Sequence, residues 1–143
     1  MNCSYRIDKI NRIILVTVVG ELNAASFEKL CSNIYKNALK QRSKVIFDFT
    51  ETNIAISVGE AYYWFTEHMD NIDIRFRRIP IAYIASNKNW SFLEFAETTW
   101  SNSGVIVKVF KNEKLAIKWL ISIGYKQNDI EQPPNFQDFI VEC

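Results

Sequence analysis

Ser57, Asp48 and His68 are the residues that could form a catalytic triad, and His68 is the only histidine of the chain. If a helix begins at Ser57, His68 lies three turns further on, roughly 16 Å away at a rise of about 1.5 Å per residue. A general base must reach its nucleophile within hydrogen-bonding distance, so this triad is excluded. A single histidine without clustered cysteines or paired carboxylates also cannot complete a metal site. The sequence therefore predicts no enzyme, no metal centre and no cofactor.

The charges of the chain are balanced, with 17 Lys and Arg against 16 Asp and Glu. Such a balance gives no electrostatic reason to expect nucleic acid or an anionic membrane as a partner. The longest apolar run, Ile13 to Gly20, is far shorter than the roughly 20 residues that cross a bilayer. We therefore expect no nucleic-acid partner and no membrane insertion.

The three cysteines, Cys3, Cys31 and Cys143, are odd in number and widely spaced, and no CxxC motif occurs. This pattern predicts neither a disulfide framework nor a zinc site. The N-terminal residues lack the apolar segment of a signal peptide. Together these features predict a reducing, cytoplasmic setting.

Alternating apolar patterns predict the element order ββαβαβαβα, an α/β domain with a mixed five-stranded sheet and about four helices. The domain is expected to cover residues 1–124, followed by a C-terminal tail, 125–143, that could dock on it through Phe136, Phe139 and Ile140. Four helix starts carry capping residues, because short polar side chains accept hydrogen bonds from free N–H groups. They are Asn23 or Ser26, Ser57 with Glu60, Ser91 with Glu94, and Asn112.

Two segments of the first half resemble the STAS domain, the fold of bacterial anti-sigma-factor antagonists. VVGELNAASFEKL (residues 18–30) is similar to that family's strand and G-E-L-D-A-A entry into its first helix. VIFDFTETNIAISVGEA (residues 45–61) is similar to its third strand, loop and phosphorylated segment, whose motif is D-S-[ST]-G. On this register Ser57 takes the place of the phosphoacceptor serine, while Ile56 and Val58 replace the aspartate and the second hydroxyl residue.

The second half resembles the SpoIIAA-like branch, which is grouped with STAS and SEC14-type domains. RRIPIAYIASNKNW (residues 77–90) and VIVKVFKNEKLAIKWL (residues 105–120) are similar to that branch's strand, D-K-x-W, helix and final strand and helix. The resemblance covers about residues 5–123 and implies a STAS/SpoIIAA-like fold and a non-enzymatic module.

Ser57 has two compatible interpretations. It caps the second helix together with Glu60, or it is also the phosphoacceptor, since a helix N-terminus stabilises added negative charge. Asp48 lies on the strand next to the Ser57 loop, where we expect it to support the loop by accepting N–H hydrogen bonds.

The second helix is apolar all round at Tyr62-Tyr63-Trp64-Phe65, which is typical of a helix that is buried on several sides or meets a partner. We expect Ala61, Tyr62, Phe65 and Met69 to point inward, and Tyr63 and Trp64 to point outward. The outward residues, with Ile56 and Val58 beside them, would form an interaction surface for a protein partner or a homodimer, or would be covered by the tail.

The leading functional prediction is a non-enzymatic protein-interaction or regulatory module. The alternative is a carrier or sensor of a small apolar ligand, bound between the second and third helices as the SEC14 kinship suggests.

Overall fold

The computed structural model describes residues 1–64, 74–123, 135–136 and 141–143 of the chain. The predicted helical positions Phe65, His68 and Met69 lie outside these residues, as do Phe139 and Ile140 in the tail.

Six strands form one mixed sheet in the order β5-β4-β3-β2-β1-β6. Strand β1 pairs antiparallel with β2 and with β6, whereas the pairs β2–β3, β3–β4 and β4–β5 are parallel. The strands are β1 (Asn2–Asp8), β2 (Ile13–Leu22), β3 (Lys44–Ile54), β4 (Ile81–Ile84), β5 (Val107–Phe110) and β6 (Val141–Glu142). The five predicted strands and their mixed pairing are confirmed, and β6 is an addition that the sequence did not predict.

Four α-helices connect the strands as predicted, and a 3₁₀ helix (Ile74–Arg78) precedes β4. The helices are α1 (Ala24–Gln41), α2 (Val58–Tyr63), α3 (Trp90–Asn102) and α4 (Glu113–Ser122). The caps at Asn23, Ser57 and Asn112 are confirmed. The Ser91–Glu94 capping box is wrong, because Asn89 occupies the N-cap position of α3, two residues before Ser91.

The sheet is buried on both faces, which is why β3 begins, after Lys44, with the continuous apolar run Val45-Ile46-Phe47. Residues of α1, α2 and α3 belong to the apolar cluster on one face, and α4 packs on the other through Ala116, Ile117 and Leu120.

Strands β2 and β3 are the longest of the sheet. Gly20 lies within β2 at φ 99°, a conformation that a glycine adopts without steric cost. The two strands stay paired as far as Leu22 opposite Ile54, with one register shift between Thr17 and Val19. This pair therefore projects beyond β4, whose pairing with β3 ends at Asp48.

A disulfide joins Cys3 of β1 to Cys143, and the two Cα atoms are 5.1 Å apart. The prediction of no disulfide is thus wrong, since two cysteines 140 residues apart in sequence meet where the chain end lies along β1. The Cys143 N–H also donates to the Cys3 carbonyl at 3.0 Å. The prediction of a reducing compartment was based partly on unpaired cysteines, and the disulfide removes that argument. A cytoplasmic location stays a prediction.

We predict that reducing this disulfide lowers the free energy of unfolding by about 2–5 kcal/mol, because the bond restricts the unfolded chain over nearly its whole length. Urea unfolding with and without dithiothreitol measures the effect. The Cys3→Ser variant is the control, since reductant should leave its midpoint unchanged. Equal midpoints for the oxidised and reduced wild type would contradict the prediction.

Candidate functional site

Ser57 lies at the exposed start of α2, just beyond the carboxyl end of β3. Its Oγ accepts the Glu60 N–H at 3.1 Å, and the Glu60 Oε1 accepts the Ser57 N–H at 3.1 Å. Two donors that the first turn would leave unpaired are therefore satisfied. The capping box predicted for Ser57 and Glu60 is confirmed.

The segment that leads into Ser57 is fixed to the sheet. The Ala55 N–H donates to the Leu22 carbonyl at 2.8 Å, which extends the pairing of β2 and β3 by one bond. Ile56 is half-buried against the main apolar cluster, whereas Val58 is 62% exposed. The two residues that replace the family motif thus differ, with Ile56 anchoring the turn and Val58 facing outward.

Asp48 does not lie at the end of its strand as expected, because β3 continues for six more residues to Ile54. Six strand residues span roughly 20 Å. The Asp48 Oδ1 accepts both the N–H and the hydroxyl of Thr50, at 3.0 and 2.7 Å, beside the register shift in β3. Asp48 therefore supports its own strand, and the structure does not bring it to Ser57.

Trp64 is buried, which corrects the prediction that it points outward. Its side chain is only 9% exposed. The ring centroid lies 5.3 Å from that of Phe27 on α1 and 5.2 Å from that of Trp100 on α3. Contacts of this kind combine apolar burial with favourable ring geometry. Trp64 thus anchors the end of α2 between two neighbouring helices.

Tyr62 is 60% exposed, so the prediction that it points inward is also wrong. Tyr63 is 62% exposed, as expected. Ala61 and Trp64 form the inward face of this short helix. The outward face therefore consists of Val58, Tyr62 and Tyr63. We call these three residues the α2 patch. Tyr62 is the member that sequence reasoning missed, because a helix that is apolar all round shows no periodic signal for its orientation.

Asn89 is a second residue that the sequence did not reveal. It is 3% exposed, and its side-chain amide donates to the carbonyls of Phe49 and Thr52 at 2.9 and 2.8 Å. Both carbonyls belong to the part of β3 that projects beyond β4. The Thr52 hydroxyl donates in turn to the Val18 carbonyl at 2.7 Å. Asparagine is common at the N-cap position of helices, so the type and position of Asn89 in the sequence did not predict these long-range hydrogen bonds.

The space below α2 is almost filled. The cavity there has a volume of about 10 Å³ and is lined by Ala24, Phe27, Ile56, Glu60, Ala61, Trp64 and Phe92. Pockets for small organic ligands are typically about 300–1,000 Å³. This cavity is therefore far smaller than a site for such a ligand.

No cluster of three or more His, Cys, Asp or Glu that could hold a metal ion occurs within residues 1–64, 74–123, 135–136 and 141–143. Over the same part of the chain, none of the helices is both long and apolar enough to cross a membrane.

The one free cysteine among the described residues, Cys31, lies inside the core and not in a site. Burial raises the pKa of its thiol from 9.0 to about 12. Burial likewise raises the pKa of the neighbouring Tyr35 and Tyr83 hydroxyls well above 10.0. A thiol that keeps its proton is a poor nucleophile, so Cys31 behaves as a small apolar side chain.

Comparison with known proteins gives similarities of fold. No protein-family model matches the chain, and no curated protein matches it. Among solved structures, one similar chain is a DUF3478-family protein with a SpoIIAA-like fold from Shewanella loihica PV-4, with 19% identity and a TM-score of 0.48 over 76% of this chain and 83% of that one. Another is the anti-sigma factor antagonist SpoIIAA in its unphosphorylated form, with 13% identity and a TM-score of 0.46 over 79% of this chain and 93% of that one.

Identities this low transfer no function to the present chain, because one fold supports many functions.

The shifted thiol pKa predicts an alkaline loss of stability. Between about pH 9 and 12 the folded protein keeps the Cys31 proton while the unfolded chain loses it. The free energy of unfolding therefore falls as the pH rises, by up to about 1.4 kcal/mol per pH unit from this group. Urea unfolding of a Cys3→Ser/Cys143→Ser variant, which avoids thiol exchange with the disulfide, measures the slope between pH 8 and 10.

Adding Cys31→Ser to that variant should flatten the dependence of the free energy of unfolding on pH below pH 10. The two buried tyrosines begin to contribute only near pH 10. An identical slope with and without the Cys31 thiol would contradict the assignment.

Proposed function

We propose that the chain is a non-enzymatic protein-interaction or regulatory module of STAS/SpoIIAA-like type, and that it binds its partner through the α2 patch. The observation that carries this proposal is the exposure of Val58, Tyr62 and Tyr63, each 60% or more, within six residues of one short helix. No other helix or strand among the described residues exposes three large apolar side chains.

The chemistry of the patch fits a protein partner. Tyrosine is enriched at protein interfaces because it combines a large apolar ring with a polar hydroxyl and loses little conformational entropy on binding. Contiguous exposed apolar residues are also typical of interaction surfaces. The partner in this proposal is another protein or a second copy of the chain.

The base of the patch is rigid, which favours binding with little loss of entropy. Trp64 is packed between α1 and α3, and Ile56 anchors the turn before the helix. The outward side chains thus stand on a segment that is held at both ends.

For Ser57 the proposed role is the helix cap. Its Oγ is already bonded to the Glu60 N–H, and the Glu60 carboxylate lies against the Ser57 backbone. A phosphate of charge about −1.5 to −2 would meet this carboxylate at close range, and like charges repel. Phosphorylation of Ser57 would therefore have to displace Glu60 from the capping box.

The positions of the candidate residues also favour a non-enzymatic module, since Ser57 and Asp48 are not brought together. Ser57 is bonded within its own cap and Asp48 within its own strand. A carrier function would need a cavity far larger than the one of about 10 Å³ below α2, so it is not proposed.

Site-specific photo-crosslinking tests the proposal directly. A benzophenone amino acid replaces Tyr63, and the same group replaces Ile106 as a control. Ile106 is 45% exposed but precedes β5, at the opposite end of the parallel strands. In a lysate of the source cells, irradiation should give a discrete protein adduct from position 63 only, and Val58→Asp should weaken it because a charge enters the apolar patch.

The adduct's mass separates the two kinds of partner, because twice the mass of the chain indicates a second copy. The absence of any adduct from position 63, or the same adducts from position 106, would contradict the α2 patch as the binding surface.

A further inference from the structure

A second concave surface lies at the opposite end of the sheet from Ser57. Strands β2 and β3 run parallel, so the residues before them, Arg12 and Ser43, lie at the same edge. The C-terminal end of α1 reaches this edge as well. Together these segments form an open cavity of about 590 Å³, lined by Ile7, Lys9, Arg12, Lys40, Gln41, Arg42 and Ser43.

All the charged residues that line this cavity are cationic. Four of its seven lining residues are cationic and none is acidic, although the whole chain has 17 basic and 16 acidic residues. We call Lys9, Arg12, Lys40 and Arg42 the basic rim. All four side chains are exposed, and the described residues place no carboxylate in the lining.

The nearest acidic residue in sequence, Asp8, is committed to the hairpin turn. It is fully buried, and its carboxylate accepts the N–H groups of Ile10, Asn11 and Asn135 at 3.0 to 3.1 Å. It also accepts the Asn11 side-chain amide at 2.8 Å. Asp8 therefore shapes the turn that carries Lys9 and Arg12, and its oxygens are occupied by four donors.

Stabilisation of α1 explains only half of the basic rim. Cations near a helix C-terminus interact favourably with the helix dipole, which accounts for Lys40 and Arg42. Lys9 and Arg12 come from a different element, and placing them beside two further cations costs electrostatic energy. In the last turn of α1, the Ala38 carbonyl already accepts the Ser43 N–H at 2.9 Å.

Two residues that line the cavity adopt the left-handed backbone conformation. Arg12 and Arg42 have φ values of 56° and 53° and are the two non-glycine residues with positive φ in the described chain. For Arg42 this is the common end of an α-helix, since it is the C-cap residue of α1. For Arg12, in the turn before β2, the conformation is uncommon, because residues other than glycine, asparagine and aspartate rarely adopt it.

We propose that the basic rim binds an anion that carries two or more phosphate groups. Guanidinium groups bind phosphate oxygens in pairs, and lysine ammonium groups add point charges. A volume of about 590 Å³ lies in the range of small-ligand pockets and exceeds what a single phosphate would fill. The phosphates belong to a soluble polyphosphate or to the headgroup of a phosphorylated lipid.

Isothermal titration calorimetry at low salt tests the site with the full chain. One arm uses inorganic tripolyphosphate, and the other uses phosphatidylcholine vesicles with and without phosphatidylinositol bisphosphate. Binding should weaken steeply as salt is added, because the contacts are between exposed charges. Binding of tripolyphosphate indicates a soluble ligand, and binding of the phosphoinositide vesicles alone indicates a lipid headgroup.

The decisive comparison uses two double variants that change the net charge equally, from +1 to −1 by removing two lysines. Lys9→Gln/Lys40→Gln removes one cation from each side of the cavity, and Lys29→Gln/Lys36→Gln removes two exposed lysines of α1 outside its lining. We expect the first pair to weaken binding about tenfold or more and the second less than about twofold.

Circular dichroism confirms that both variants are folded, which is expected because all four lysines are exposed. Two results would overturn the proposal. One is no binding of tripolyphosphate or of phosphoinositide vesicles to the wild type, and the other is an equal loss of affinity in both double variants.

Discussion

The two hydrogen bonds from the Asn89 amide to β3 are the interaction on which the candidate site depends. Beyond Asp48, the described residues place no strand beside β3 on the β4 side, so the buried carbonyls of Phe49 and Thr52 depend on other donors. A buried carbonyl without a donor costs free energy, and an amide side chain offers two N–H groups. Asn89 supplies both, and it fixes the start of α3 to the projecting end of the sheet.

The position of α2 follows from that of α3. Helix α3 carries Trp100, and Trp100 contacts Trp64 at the end of α2. Once Trp64 is held between α1 and α3, the neighbouring Tyr62 and Tyr63 face outward. The proposed binding surface therefore depends on the hydrogen bonds that Asn89 donates to the end of β3. Of the three aromatic residues at the end of α2, Trp64 anchors the helix, and Tyr62 and Tyr63 are exposed.

Local patterns predicted most of the fold but not its long-range contacts. Strand and helix order followed from apolar periodicity, and the caps at Asn23, Ser57 and Asn112 followed from local hydrogen-bonding chemistry. The Cys3–Cys143 pair and the basic rim could not be predicted, because each joins residues that are far apart in sequence. A balanced total charge hid the local excess of cations. The orientation of α2 was missed because an all-apolar helix has no polar face to mark its exposed side.

Trp64 anchors α2, whereas Tyr63 belongs to the surface. Urea unfolding of two single variants tests this difference. Trp64→Ala should lower the free energy of unfolding by about 3–5 kcal/mol, because it removes a large buried ring. Tyr63→Ala should change it by no more than about 0.5 kcal/mol, because most of that side chain is already in water. Equal losses in the two variants, or a larger loss from Tyr63→Ala, would contradict the account.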